Sequence, residues 1–319
     1  MITNRLNIKE LTIQFTPIDE NKIPVKKKIL VQRKQEIKLP QMANKALSEN
    51  WFLKEIGDVH WELLSKGLES KSSGITNAAG ERLCAAFVRI NYQTSQLNHY
   101  LENETIDIQG SINRYGDSTY FSEVTGYCAD KTFKANLMSC FSALSTDGNK
   151  QICKSLPDTN VNHINKLVKI PLLFSSYCGI KKASQQVVSN GVHSFYINND
   201  TVDERSYQIN HFQDINGVGL LYFAAYPIIS DHCINDYLRK ESKLQYSKYH
   251  TTYRDVLYYA NCDANDTIIH RLNNITITDN LVKTVVTMYR SSDNKMIAQV
   301  LTVKEAKPMP THTTVWHKR

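Results

Sequence analysis

The stretch Asn103-Glu104-Thr105-Ile106 returns 162 residues later as Asn265-Asp266-Thr267-Ile268, and the chain behind each copy reads the same way. After the first copy come three runs rich in β-branched and aromatic residues, at 106–115, 119–127 and 133–144. After the second come 268–277, 282–288 and 296–303. Turn residues separate the runs, Gly116-Asp117 in one set and Asp293-Asn294 in the other, so each set predicts antiparallel strands joined by short connections. The residue-by-residue similarity is weak. The order and spacing of the elements carry the repeat.

Ahead of each set lies a helical pattern. Over 47–64, Phe52, Ile56, Val59, Leu63 and Leu64 recur at three- and four-residue steps behind Ser48, a natural N-cap. Over 214–226 the pattern is apolar all round, as for a helix buried on most sides, with Asn216 as its expected N-cap and Pro227 ending or kinking it. Each half therefore predicts a strand, a buried helix and several antiparallel strands. A curled sheet around one central helix is the hotdog arrangement. Two copies predict an α+β double hotdog, two curled antiparallel sheets each wrapped around a central helix, packed sheet to sheet as a homodimer of single units would be. The expected divisions are a basic N-terminal extension over 1–40, a first unit over 41–150, a crossover over 151–190 with an apolar stretch at 168–174, and a second unit over 191–319. Strand-like runs at 11–15 and 29–32 are expected to pair along an edge.

Composition narrows the function. The chain has 319 residues, with 41% apolar and 22% charged, an ordinary globular balance. Only 12 glycines occur and no glycine-rich phosphate loop is present. The longest apolar stretch, 220–229, is too short to cross a bilayer, which takes ~20 residues. Seven cysteines, without a C-x-x-C pair and with no apolar leader after Met1, predict reduced thiols, a cytoplasmic protein and no metal site. The net charge of +7 is concentrated at the ends. Residues 1–40 carry nine Lys/Arg against four Asp/Glu, and 304–319 carry four against one. These ends are either solvated tails or a basic edge for an acidic partner or a phosphate. No basic stripe or reading module suggests nucleic acid.

The starts of the two buried helices are the natural places for chemistry, because free backbone N–H groups and the helix dipole favour negative charge there. That singles out Ser48, Glu49, Asn50 and Trp51 in one half, and Asp214, Asn216 and Gly217 in the other. Gly217 either starts a helix or lets a ligand approach the backbone. His60 lies on the buried stripe and is either a hydrogen-bonded core residue or a catalyst. Tyr222 and Tyr226, one helical turn apart, either pack or present two phenols. In 82–90, alternation puts Cys84, Ala86, Val88 and Ile90 on one face, and Tyr92 on the same face by parity. Cys84 is either structural or a nucleophile.

The run from Leu47-Ser48-Glu49-Asn50-Trp51 to His60-Trp61, and the later Asp214-Ile215-Asn216-Gly217-Val218-Gly219-Leu220-Leu221-Tyr222-Phe223-Ala224-Ala225-Tyr226-Pro227, resemble the leinamycin-type bifunctional acyltransferase/decarboxylase family of polyketide biosynthesis. Stretches 82–89 and 115–122 support the resemblance, which spans roughly 40–305. It implies a double hotdog. It implies decarboxylation of methylmalonyl-CoA and delivery of the propionyl group to the phosphopantetheine thiol of an acyl carrier protein. No bound cofactor is implied; the CoA thioester is the substrate and the carrier's phosphopantetheine the acceptor. The family's acyl-carrying tyrosine falls at or near Cys84, which puts a thiol where the family has a phenol. A thiolate there would exchange one thioester for another at little energetic cost. Two other readings stand beside it. One is a hotdog thioesterase or dehydratase using an acid at the 214–216 helix start. The other is a non-catalytic scaffold that binds a carrier protein through its basic ends. The assembly expected is a monomer or dimer.

Overall fold

The computed structural model describes residues 28–144, 152–242 and 244–306. The run at 11–15 and most of both basic ends lie outside the described residues. In chain order the elements are β1 (Leu30–Glu36), β2 (Met42–Ala43), β3 (Ala46–Leu47), α1 (Glu49–Gly67), β4 (Leu83–Thr94), β5 (Thr105–Tyr115), β6 (Thr119–Cys128), β7 (Lys131–Leu144), β8 (Ile152–Lys154), α2 (Leu172–Lys181), β9 (Val187–Ser189), β10 (Ser194–Tyr196), β11 (Asp203–Gln208), α3 (Ala225–Glu241), β12 (Tyr249–Tyr258), β13 (Thr267–Thr278), β14 (Leu281–Arg290) and β15 (Lys295–Ala306).

The six repeat strands form as expected, and Thr105 and Thr267 open β5 and β13. The main sheet has the order β1-β5-β6-β7-β4-β12-β15-β14-β13-β11, with β8 beside β7, and every pairing in it is antiparallel. The order reads alike from either edge. β1 and β11 are the outer strands, and β4 meets β12 in the middle from Arg89–Leu257 to Gln93–Tyr253. The two predicted sheets are thus one. The halves join edge to edge, because β4 and β12 exchange backbone hydrogen bonds instead of presenting two faces to each other.

One face of the sheet is covered by α1 and α3, giving a hotdog-like α+β fold. Phe52, Ile56, Val59, Leu63 and Leu64 of α1 are all buried, as the stripe predicts. Ser48 caps the helix by accepting a hydrogen bond from Trp51 N at 3.4 Å. Gly110 in β5 allows the close approach, since a Cβ there would come within 2.6 Å of Val59. The opposite face is covered by α2 and the β9–β10 hairpin, which bury Tyr177, Ile180 and Phe195 against Met138, Tyr253 and Leu257. The expected crossover therefore holds a helix that closes this face. No helix of the described residues is long and apolar enough to cross a membrane.

The second helix differs from the expectation. Residues 214–224 form a loop, and α3 starts at Ala225, behind Ala224. Side chains of the loop take the backbone partners a helix would need. Asn216 Oδ1 accepts from Val218 N at 3.1 Å and Leu220 N at 3.0 Å, and Asp214 Oδ2 accepts from Asn210 N at 2.8 Å. Gly219, with φ +78°, supplies the left-handed residue that the turn requires. Asn216 caps this loop and not a helix. Pro227 falls in the first turn of α3, where a missing N–H costs nothing, so it helps to start the helix it was expected to end.

Candidate functional site

The start of α1 is filled from within. Glu49, in its first turn, accepts from Tyr92 Oη at 2.5 Å, Thr251 Oγ1 at 2.7 Å, and Arg254 Nε and Nη2 at 2.8 Å each. Arg254 is fully buried and also donates to Asp231 of α3, at 3.0 and 3.2 Å, and to Thr302. Lys304 closes the group on Asp231 at 2.6 Å. Burial alone would raise the Glu49 carboxyl; Arg254 and Lys304 overcome it and hold the group well below the usual carboxylate range. Two cations and two carboxylates thus tie both helices to β12 and β15 at the α1 tip. Lys304, counted as part of a basic tail in the sequence, is one of them.

The start of α3 lies beside a cavity of about 1010 Å³. It exists because the β4–β12 pairing stops at Arg89–Leu257. Beyond that point β12 turns away, and among the described residues β4 has β7 on one side of 84–88 and no strand on the other. The cavity passes through this gap and touches both faces of the sheet. On the helix face it is walled by Gly57 and Trp61 of α1, Phe87, and Tyr222, Phe223 and Tyr226 around the α3 start. On the outer face it meets Cys84, Cys140 and Ser142, then Phe174, Tyr177 and Lys181 of α2. Aromatic packing shapes the inner end. Phe87 and Phe223 lie 4.5 Å apart, and Tyr226 meets Tyr258 edge-on at 5.2 Å. Gly57 is required here, because a Cβ would stand 2.5 Å from the Phe223 ring.

No side chain caps α3 and its first turn holds no acidic residue. Its positive end has no carboxylate of its own, in contrast to α1. Burial raises the phenols of Tyr226 and Tyr222 above their ordinary value, Asp58 adding to the rise at Tyr222. Burial likewise raises the thiols of Cys84 and Cys140, with Arg82 lowering Cys84 in part. All of these groups are neutral near pH 7. Asp58, held by Arg33 Nη1 at 2.7 Å, is the only carboxylate in the wall among the described residues, and no histidine lines it.

Of the residues singled out in sequence, the cavity gathers Cys84, Asn216, Gly217, Tyr222 and Tyr226. Tyr222 precedes α3, so the two tyrosines meet through the loop and not through one helical turn. The others lie elsewhere. Ser48, Glu49, Asn50 and Trp51 surround the filled α1 tip, and Asp214 is spent on Tyr207 Oη at 2.9 Å and on its own loop. His60 is in the core. Its ring nitrogens lie 2.7 Å from Ser122 Oγ and from Ser139 Oγ, one donating and one accepting, and burial lowers it to about 3. The expected alternation along β4 also breaks. Val88 is an extra residue, because Phe87 pairs with Ser139 and Arg89 with Met138. The bulge moves Ile90 and Tyr92 to the helix face, away from Cys84. Sequence reasoning missed Phe87, Phe223, Tyr258 and Tyr259 as cavity residues. The aromatic and β-branched run at 249–259 was the available signal for the strand that carries Tyr258 and ends just before Tyr259.

No family model matches the sequence, and no curated protein matches it. Solved structures do share the fold. A protein described as an oleoyl thioesterase, from Lactobacillus plantarum, superposes with a TM-score of 0.59 at 14% identity, over 88% of this chain and 97% of that one. The 12:0-ACP thioesterase from Umbellularia californica gives 0.59 at 10% identity, over 88% and 95%. An acyl-ACP thioesterase from Bacteroides thetaiotaomicron gives 0.55 at 11%, over 86% and 98%. At such identities the likeness is one of fold.

Proposed function

We propose that this protein is an acyl-thioester-processing enzyme, and that it is a double hotdog in which only the α3 start retains a working site. One unit would comprise β1, α1 and β4–β7, the other β11, α3 and β12–β15. The observation that carries the reading is the cavity beside an uncapped helix start. Ala225 N donates to Tyr222 O at 2.8 Å and Pro227 carries no N–H, so a thioester carbonyl placed there would direct its oxygen at the Tyr226 N–H and the positive end of the helix, which favour the charge that develops on that oxygen. The acyl chain would lie among Phe87, Phe223, Tyr226 and Tyr258. The phosphopantetheine arm would run through the gap between β4 and β12 to the outer face.

Hydrolysis is the first reading, and the shared fold of the three thioesterases supports it. Water adds to the carbonyl carbon and its proton goes to Asp58; the C–S bond then breaks and the departing thiolate takes that proton back, giving a free acid and a thiol. A second reading, decarboxylation and acyl transfer, is favoured by a wall with no histidine and no buried carboxylate. Loss of CO2 from a malonyl-type thioester needs no base; the electron pair passes to an enolate oxygen at the same N–H and helix end, and carbon is then protonated by water. The carrier thiol then takes the acyl group, directly or by way of Cys84, as the C–S bond to CoA breaks and CoA leaves as a thiol with the attacking thiol's proton. The test is incubation with a panel of acyl-CoAs, followed by free thiol, and with methylmalonyl-CoA plus a phosphopantetheinylated carrier protein, followed by intact mass. Free CoA with no mass gain on the carrier supports hydrolysis. A propionyl adduct with CO2 supports the second reading. Release of neither thiol nor CO2 overturns both.

A further inference from the structure

From the outer face, where the cavity opens beside α2, the chain presents an unusual strap. Residues 159–199 carry four lysines and no Asp or Glu. Before α2 the strap is fixed at both ends. Arg114 N donates to Asn165 O and Leu167 N to Arg114 O, both at 2.8 Å, and Arg89 Nη1 donates to Leu173 O at 3.1 Å. Leu167 and Leu173 pack inward on the outer-face core. The apolar residues between them point the other way: Val168 is 97% exposed, Ile170 58% and Leu172 83%. Lys169, Lys181 and Lys182 flank them, all exposed, and Lys181 also lines the cavity. The mouth continues the same charge through Arg82 and Lys154. An apolar strip inside a positive rim, left uncovered among the described residues, has the make-up of a docking surface.

We infer that this face, 166–182, docks an acidic acyl carrier protein and feeds its phosphopantetheine arm into the cavity through the gap between β4 and β12. The inference rests on the acyl-thioester reading for its substrate and adds where and how the carrier binds. Charge complementarity selects an acidic partner. Apolar contacts at Val168, Ile170 and Leu172 supply the dry centre, and the lysines supply steering. Continuity with the basic mouth places the carrier's phosphate next to Lys181 and Lys154.

The test uses the full chain and a quadruple variant, Val168→Ser, Lys169→Glu, Leu172→Ser and Lys182→Glu, none of which lines the cavity. The probes are octanoyl-CoA and an acidic fatty-acid-type carrier protein loaded with octanoyl-phosphopantetheine. The expected result is a KM for the loaded carrier at least 10-fold higher in the variant, with kcat and the octanoyl-CoA kinetics within 2-fold of the parent. Binding of the fluorescently labelled carrier, read by anisotropy, weakens by the same factor, and the parent's affinity falls as salt rises. The binding arm decides the docking even if neither thioester turns over, an outcome that would instead overturn the enzymatic reading. Equal carrier affinity in parent and variant, or no carrier binding by the parent, overturns the proposal. So does a variant that converts a dimer to a monomer while carrier binding is unchanged, since the strip would then belong to a second copy.

Discussion

Beside the first turn of α1 stand Glu49, Arg254, Asp231 and Lys304; beside the first turn of α3 lies a cavity. Both helices lie on the same face of a sheet whose strand order is the same from either edge, so the difference is one of side chains. The positive end of a helix favours a negative partner. α1 supplies its own through Glu49, whose two oxygens are already taken by Tyr92, Thr251 and Arg254. α3 begins with Ala-Tyr-Pro and supplies none. On the proposed reading one helix start serves as a structural rivet and the other receives the substrate, and the choice hangs on a few residues.

The largest effect is expected at the filled tip. Arg254→Met leaves Glu49 and Asp231 without their shared cation and is expected to cost about 3–5 kcal/mol. Chemical denaturation measures it. A loss under about 1 kcal/mol would mean that the network does not hold the tip together. Next comes the open tip. Ala86→Trp fills the passage beside Cys84 and is expected to lower kcat/KM for an acyl-CoA about 100-fold, roughly 2.7 kcal/mol of transition-state stabilisation. Asn50→Ala, at the filled tip, is expected to change activity by less than 2-fold. If the two outcomes were exchanged, the assignment of the tips would be reversed.

These expectations depend on features that the sequence revealed unevenly. Local patterns were readable. The stripe and cap of α1, the six repeat strands and the turns at Gly116 and Asn294 follow from spacing and residue type. Three decisive features were not. The extra residue at Val88 has no local signature, yet it reverses the face of Tyr92. The loop over 214–224 is built by Asn216 and Asp214, whose side chains compete with a helix that the apolar run alone would suggest. The rivet joins residues 49, 231, 254 and 304, and a contact made across 255 positions leaves no trace in local periodicity.

The two halves also differ in a buried histidine, which gives a smaller comparison. His60 has two serine partners, whereas neither nitrogen of His270, on β13, has a hydrogen-bond partner among the described residues. His60→Leu strands two hydroxyls and is expected to cost about 1–3 kcal/mol. His270→Leu removes an unpaired polar ring and is expected to be neutral or stabilising, by roughly 0–2 kcal/mol. Thermal melts of the two variants separate these outcomes, and equal losses would contradict the contrast. Burial lowers His60 to about 3 and His270 to about 4. The folded state therefore binds fewer protons than the unfolded one below an unfolded pKa of about 6.5. Stability is expected to be full above that pH and to fall as pH drops toward 4, and less steeply in either variant. Glu49 acts at lower pH, its contribution fading as pH falls from the unfolded carboxylate value of about 4.3 through the folded value of about 2. A small effect is also expected at Cys84. With its thiol raised and neutral, Cys84→Ala is expected to alter hydrolysis less than 3-fold, and a complete loss of activity would make it the acyl carrier instead.

The most direct test of the central claim is a crystal structure with a non-hydrolysable acyl-CoA analogue. The account predicts the carbonyl oxygen of the analogue against the backbone at the start of α3, its acyl chain beside Phe87 and Phe223, and its pantetheine threaded between β4 and β12. An analogue bound at the start of α1, with Glu49 and Arg254 displaced, would contradict it.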